Sequence, residues 1–193
     1  MNWIIVGLGN PTDRYAKTRH NIGRDIVDQF REENNLPDWE FDKMHNALIS
    51  KGNIGSDFLT LILPETYMND SGEALRKIVS DSETAQHTIV LYDDLDMTLG
   101  TLKISFNKNS GGHKGIESII NHIKTKEFIR LRIGISPAKK VAGEDRVKNF
   151  VLSKFGFFEK GKVKDVTKRS IEALELIMKK GYVDAMGDVN SWK

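Results

Sequence analysis

The amino-acid sequence predicts an α/β fold: a single-domain α/β/α sandwich around a mixed, largely parallel twisted sheet. Three observations carry that prediction. Short apolar runs rich in β-branched residues alternate with stretches whose apolar residues recur every three or four positions, the signature of strands joined by helices. No Pro-, Gly- or Ser-rich linker and no internal repeat divides the 193 residues, so 1–193 reads as one domain. Polar residues gather where the apolar runs stop, and in open α/β sheets that edge is where ligands bind.

Taken in order, the first strand is expected over 3–8, where Trp3-Ile4-Ile5-Val6 runs into Gly7-Leu8-Gly9-Asn10-Pro11 and a tight turn. Ile22, Ile26, Val27 and Phe30 then recur at helical spacing. Strands follow over 46–51 and 58–63. Past the turn at Asn69-Asp70-Ser71-Gly72, Leu75, Ile78 and Val79 again suggest a helix. Further strands are expected over 88–92, 101–106 and 130–135, with a helix carried by Ile116, Ile119, Ile120 and Ile123. The polar segment Ser136–Arg146 is expected to be a flexible cover beside a cleft. A longer helix over about 159–180 rests on Val163, Val166, Ile171, Leu174 and Ile177. From Asp184 onward the pattern assigns no element.

Composition narrows the classes. No apolar run approaches the roughly 20 residues a bilayer requires, and the N-terminus has no signal-peptide pattern, so a soluble cytoplasmic protein is expected. The absence of cysteine excludes disulfides, thiolate metal sites and a cysteine nucleophile. A net charge of +2 hides an asymmetry: residues 1–100 carry 9 Lys and Arg against 17 Asp and Glu, a balance of −8, and residues 101–193 carry 20 against 10, a balance of +10. The basic half includes Lys103, Lys124, Lys126, Arg130, Arg132, Lys139, Lys140 and Lys148, and a one-sided positive field of this kind favours a polyanion.

The residues at the junctions point to hydrolysis. Gly7-Leu8-Gly9 lacks the third glycine of a dinucleotide fingerprint, since position 12 is Thr12 and Pro11 interrupts the turn; the glycines are read as aiming Asn10. His20 is the candidate base, and Asp93 can accept from one ring nitrogen, fix the tautomer and strengthen the other nitrogen. With no G-x-S-x-G elbow and no cysteine, water is the natural nucleophile. Asp93-Asp94-Leu95-Asp96 has carboxylates for a cation but lacks calcium-loop or zinc spacing, so no metal is expected. Gly111-Gly112-His113-Lys114-Gly115 permits close approach to a ligand without matching a phosphate loop.

Taken together, these stretches resemble the bacterial peptidyl-tRNA hydrolase family. The resemblance is carried by Val6-Gly7-Leu8-Gly9-Asn10-Pro11, Tyr15, Thr18-Arg19-His20-Asn21-Ile22-Gly23, Tyr67-Met68-Asn69-Asp70-Ser71-Gly72, Asp93-Asp94-Leu95-Asp96, Gly111-Gly112-His113 and Arg130-Leu131-Arg132-Ile133-Gly134-Ile135. It implies hydrolysis of the ester joining a peptide to the 3′ end of transfer RNA, with no metal or organic cofactor. It further implies His20 as general base, Asp93 as its partner, Asn10 as the residue that tells N-blocked from free aminoacyl esters, and Asn69 as an amide holding substrate and water. Tyr15 and Tyr67 match positions facing the RNA 3′ end, with His113 and Lys114 beside them, while Lys103 and Arg132 are expected to meet phosphates. The partner is peptidyl-tRNA, with no membrane, and the chain is expected to be a monomer. Where the family usually carries Asn after its GGH stretch, this chain has Lys114, which keeps open a second reading: an RNA-binding relative with impaired turnover.

Overall fold

The computed structural model describes residues 1–137 and 143–192. Seven strands form one sheet in the order β2-β3-β4-β1-β5-β7-β6, with β1 over Asn2–Gly7, β2 over Glu40–Asp42, β3 over Ala47–Ile54, β4 over Asp57–Pro64, β5 over Thr88–Thr98, β6 over Leu102–Phe106 and β7 over Ile129–Ser136. The four central strands β4, β1, β5 and β7 run parallel, and β2, β3 and β6 add antiparallel edges. The mixed, centrally parallel sheet is the one expected.

Alternation along β1 explains the three layers. Trp3 and Ile5 point to one face, where they meet Ile22, Ile26 and Phe30 of α1 (Ile22–Glu33) and Leu174 and Ile177 of α5 (Lys160–Lys180). Ile4 and Val6 point to the other, against Leu75, Val79, Ala85 of α2 (Ser82–Gln86) and Ile116 and Ile119 of α3 (Lys114–Ile123). A period of two in the strands thus feeds two apolar layers, each closed by a helical face of period 3.6.

Several elements differ from expectation. Residues 75–79 are not an α-helix: a 3-10 segment, Met68–Ala74, takes the turn, yet Leu75 and Val79 are buried as their spacing implies. Gly72 explains the tight path, because a Cβ there would lie 2.3 Å from the Ser118 carbonyl oxygen of α3. β5 runs past Tyr92 to Thr98, so Asp93 and Asp94 lie within the strand and pair in register with Ile133 and Gly134 before the pairing becomes irregular. The short β2, α2, α4 (Glu144–Val151) and α6 (Tyr182–Val189) were not expected. Of the proposed cover at 136–146, residues 138–142 lie outside the described residues, Ser136 closes β7 and Glu144–Arg146 open α4. Among the described residues no helix is long and apolar enough to cross a membrane.

The end of β1 is fastened to the start of α1. Leu8 N–H donates to the Leu91 carbonyl at 3.0 Å, and Arg24 N–H donates to the Leu8 carbonyl at 3.0 Å. This approach requires glycine at position 23, where a Cβ would lie 2.2 Å from the Leu91 oxygen. Gly23→Ala should therefore push α1 off the sheet and cost about 1–3 kcal/mol in denaturant-midpoint measurements. Gly187→Ala in α6, whose Cβ meets nothing within 4 Å, should be neutral or slightly stabilising in the same assay.

Candidate active site

Four segments converge at the carboxyl ends of the parallel strands: the loop after β1, the segment after β4, the end of β5 and the loop from β6 into α3. They line a cavity of about 930 Å³. Its centre is Asp93, only 2% exposed on a strand flanked by both helical layers. Its Oδ1 accepts from His20 Nδ1 at 2.7 Å and from His113 Nε2 at 3.1 Å. His20 stands in the 3-10 turn Arg19–Asn21 that leads into α1, whereas His113 is the N-cap of α3, so each helical layer delivers one imidazole.

The protonation pattern follows from the partners. His113 Nδ1 accepts the Ile116 backbone N–H at 3.3 Å, which leaves its Nε2 to carry the proton toward Asp93. His20 Nδ1–H faces the carboxylate, so its Nε2 keeps a lone pair, the arrangement a general base needs. For His20, burial works to lower the pKa, but the charge of Asp93 and the hydrogen bond to it outweigh burial and raise it, with Lys114 opposing. For Asp93, burial pushes upward, and the two imidazoles overcome it and hold the carboxyl well below the usual carboxylate range.

Asn10 is buried, and its backbone N–H and carbonyl are both engaged at 2.9 Å by the side-chain amide of Asn21. Its own Oδ1 accepts the Met68 N–H at 2.9 Å. That bond fixes the amide orientation and, among the described residues, leaves Nδ2 as a donor without a partner. Asn69 is exposed at the cavity wall, its Nδ2 bonded to Asp70 Oδ2 at 2.8 Å. Tyr15 and Tyr67 meet edge to face with centroids 6.3 Å apart, and Tyr67 is 55% exposed at the rim. Lys114, first residue of α3, also lines the cavity.

The two expected phosphate contacts part company. Arg132 lines the cavity, but its Nε donates to Asp94 Oδ2 at 2.7 Å. Lys103 pairs across the strands with Arg132 yet stands outside the cavity wall. Arg130, counted with the basic surface from sequence, is 1% exposed and donates to the Asn109 and Lys108 carbonyls, so it anchors the loop that carries His113. Lys139 and Lys140 lie outside the described residues.

Asn21, Arg130 and Arg19 are contributors the residue-by-residue reading did not single out. Arg19, 6% exposed, pairs with both oxygens of Glu159 at 3.0 and 2.6 Å and lies over the rings of Phe150 and Phe155. It bolts the His20 turn to the chain after α4. Its position beside His20 is the only local signal, because its partners are more than 100 residues away.

Metal binding fits poorly. His20 Nδ1, Asp93 Oδ1 and His113 Nε2 lie within 4.8 Å of one another, the ligand number of a catalytic zinc site. However, both nitrogens face that one oxygen as hydrogen-bond donors, and a cation would have to replace both bonds. In the acidic stretch, Asp94 is spent on Arg132 and on the Asp96 N–H at 2.8 Å.

Two titrations should report this arrangement. The raised His20 pKa means its contribution to stability is full below about 6.5 and fades as pH rises through the folded value. The lowered Asp93 pKa means its contribution is present above 3.8 and fades as pH falls toward the folded value. In Asp93→Asn the His20 imidazole should titrate below 6.5, since burial and Lys114 then act without the anion; an NMR titration of the ring protons checks it.

Comparisons with known proteins place the sequence and the fold in one family. The sequence model described as peptidyl-tRNA hydrolase matches residues 4–193. The peptidyl-tRNA hydrolase of Thermodesulfovibrio yellowstonii is 39% identical over 190 residues, covering 97% of this chain and 98% of the relative. That of Clostridium tetani is 37% identical over 192 residues, covering 99% and 98%. The crystal structure of peptidyl-tRNA hydrolase from Acinetobacter baumannii superposes with a TM-score of 0.90 at 31% identity, over 99% of this chain and 95% of that one.

Proposed function

The chain belongs to the peptidyl-tRNA hydrolase family, hydrolases of the ester bond of peptidyl-tRNA, and from that premise we propose how its residues divide the work. The observation that carries the reading is the His20–Asp93 pair at 2.7 Å, opening on a cavity lined by Asn10 and Asn69, each with one amide atom bonded and the other without a partner among the described residues. His20 Nε2 takes a proton from water while the resulting hydroxide attacks the ester carbonyl. Asp93 stabilises the imidazolium that forms. The tetrahedral oxyanion needs donors held in advance, and Asn10 Nδ2 is one available. Collapse breaks the bond to the ribose 3′ oxygen, which leaves with the proton returned by His20.

Asn10 also explains a choice of substrate. With Oδ1 committed to Met68 N–H, the side chain offers a donor. A donor suits the carbonyl of a peptide or N-acyl group and opposes the α-ammonium of a free aminoacyl ester, which has only donors. Tyr15 and Tyr67 offer faces on which the terminal bases of the RNA stack, and Arg132, with Lys103 beside it, meets phosphate. Lys114 adds a cation close to the departing ribose and leaves the His20–Asp93 bond intact. Asn69, whose Oδ1 has no partner among the described residues, holds water or substrate as acceptor. His113 supports the site through Asp93. Residues 1–193 act as one domain, as a monomer in the cytoplasm, with water as the only co-reactant.

His20→Ala should lower kcat for release of an N-acetylaminoacyl group from transfer RNA by about 10²–10⁴-fold at unchanged RNA affinity; undiminished release would remove His20 as the base. Asn10→Asp replaces the donor with an acceptor, and the ratio of free aminoacyl-tRNA to N-acetylated substrate cleaved should rise, as read from parallel kcat/KM measurements.

A further inference from the structure

Beyond the cleft lies a surface that the reaction does not use. Phe157 and Phe158, in the 3-10 turn Phe157–Glu159, are 78% and 95% exposed, the most exposed large apolar side chains among the described residues. Nothing in the turn requires them. Its shape is set by Gly156 N–H donating to Glu159 Oε2 at 2.7 Å and by Glu159 pairing with Arg19. The rings meet edge to face at 5.6 Å, and Lys160 Nζ lies 5.7 Å from the Phe157 centroid. Lys154, Lys160, Lys162 and Lys164, close to the pair along the chain, are all exposed, and none forms an ion pair among the described residues.

We propose that Phe157 and Phe158, with Lys160 beside them, form a stacking platform for a nucleotide of the transfer RNA outside the catalytic cleft. The inference rests on the peptidyl-tRNA reading and extends it. Flat apolar faces flanked by unpaired cations fit a partner that is both a polyanion and a carrier of π-surfaces, which is nucleic acid. The substrate demands such a contact, because a cavity of about 930 Å³ has the dimensions of a small-molecule site and holds only the ester end of an RNA.

The platform is also fixed relative to that ester. α4 and Leu152 form part of the cavity wall, and the chain runs directly from them into the turn. Ser153 O accepts from Arg19 N at 3.0 Å, Lys154 bridges to Thr18, and Arg19 holds Glu159. A nucleotide seated on the phenylalanines is thereby held at a set distance from His20.

The test compares wild type, Phe157→Ala/Phe158→Ala and Phe157→Trp/Phe158→Trp, none of which disturbs a buried contact. The alanine pair should bind deacylated transfer RNA about tenfold more weakly and raise KM for N-acetylaminoacyl-tRNA at unchanged kcat, and the tryptophan pair should restore both. An N-acetylaminoacyl ester of a single nucleoside, too short to reach the platform, should be cleaved alike by all three. Equal transfer-RNA affinity in wild type and the alanine pair overturns the proposal, as does an equal loss on the nucleoside ester. So does binding of wild type, but not of the alanine pair, to vesicles of anionic phospholipid with RNA affinity unchanged, or a wild-type dimer that the alanine pair dissociates with RNA affinity unchanged. If wild type cleaves neither ester, the hydrolase reading fails, while the affinity for deacylated RNA still decides the platform.

Discussion

A carboxylate buried at the sheet edge needs compensation, and Asp93 receives it from two imidazoles that belong to opposite layers of the fold. Its Oδ1 accepts from His20, at the entry to α1 on one face, and from His113, at the cap of α3 on the other. Removing either imidazole would expose the cost of burying an anion, because charge in a low-dielectric setting is tolerated only when paired and hydrogen-bonded. One oxygen atom thereby joins the two helical layers. The same contact fixes the tautomer of His20 and leaves its Nε2 with a lone pair.

Around that oxygen the chain secures each functional group by something distant in sequence. Asn21 grips both backbone groups of Asn10, and Met68 N–H orients the Asn10 amide. Arg130, although cationic, is consumed in holding the loop before His113. Arg19 ties the His20 turn to Glu159 through a bidentate pair set against the rings of Phe150 and Phe155, so His20 is held from the sheet side by Asp93 and from the outside by the 150–159 segment. These supports leave donors and acceptors of known orientation facing the cavity, which is what preorganised electrostatic catalysis requires.

Charge in the basic half of the chain separates into two uses once folded. Arg130 and Arg132 face carbonyls and Asp94, whereas Lys154, Lys160, Lys162 and Lys164 remain solvent-facing, Lys160 beside the exposed ring of Phe157. A linear count of charges treats all of them alike. Burial distinguishes them, because a cation in the interior must be paired and one at the surface need not be.

Much of this was legible in the chain. The six longer strands follow from apolar runs of the right length, and α1, α3 and α5 follow from 3.6-residue spacing, since both are local periodicities. Asn10 and Asp93 were identifiable because each follows an apolar run, and His20 because it stands just before the helical spacing that begins at Ile22. The edge strand β2 and the helices α2, α4 and α6 were not, because they are short and largely exposed, and their formation depends on docking rather than on pattern. Residues 75–79 carried helical spacing but were denied a helix by the close passage of Gly72 against α3. The sequence alone thus determined the layers, the family and the chemical types at the site. Only the tertiary structure decided that one carboxylate oxygen serves two histidines, that Arg130 is structural and that Arg19 braces the His20 turn. Those outcomes depend on side chains 20 to 140 residues apart meeting in space, and no local periodicity encodes such distances.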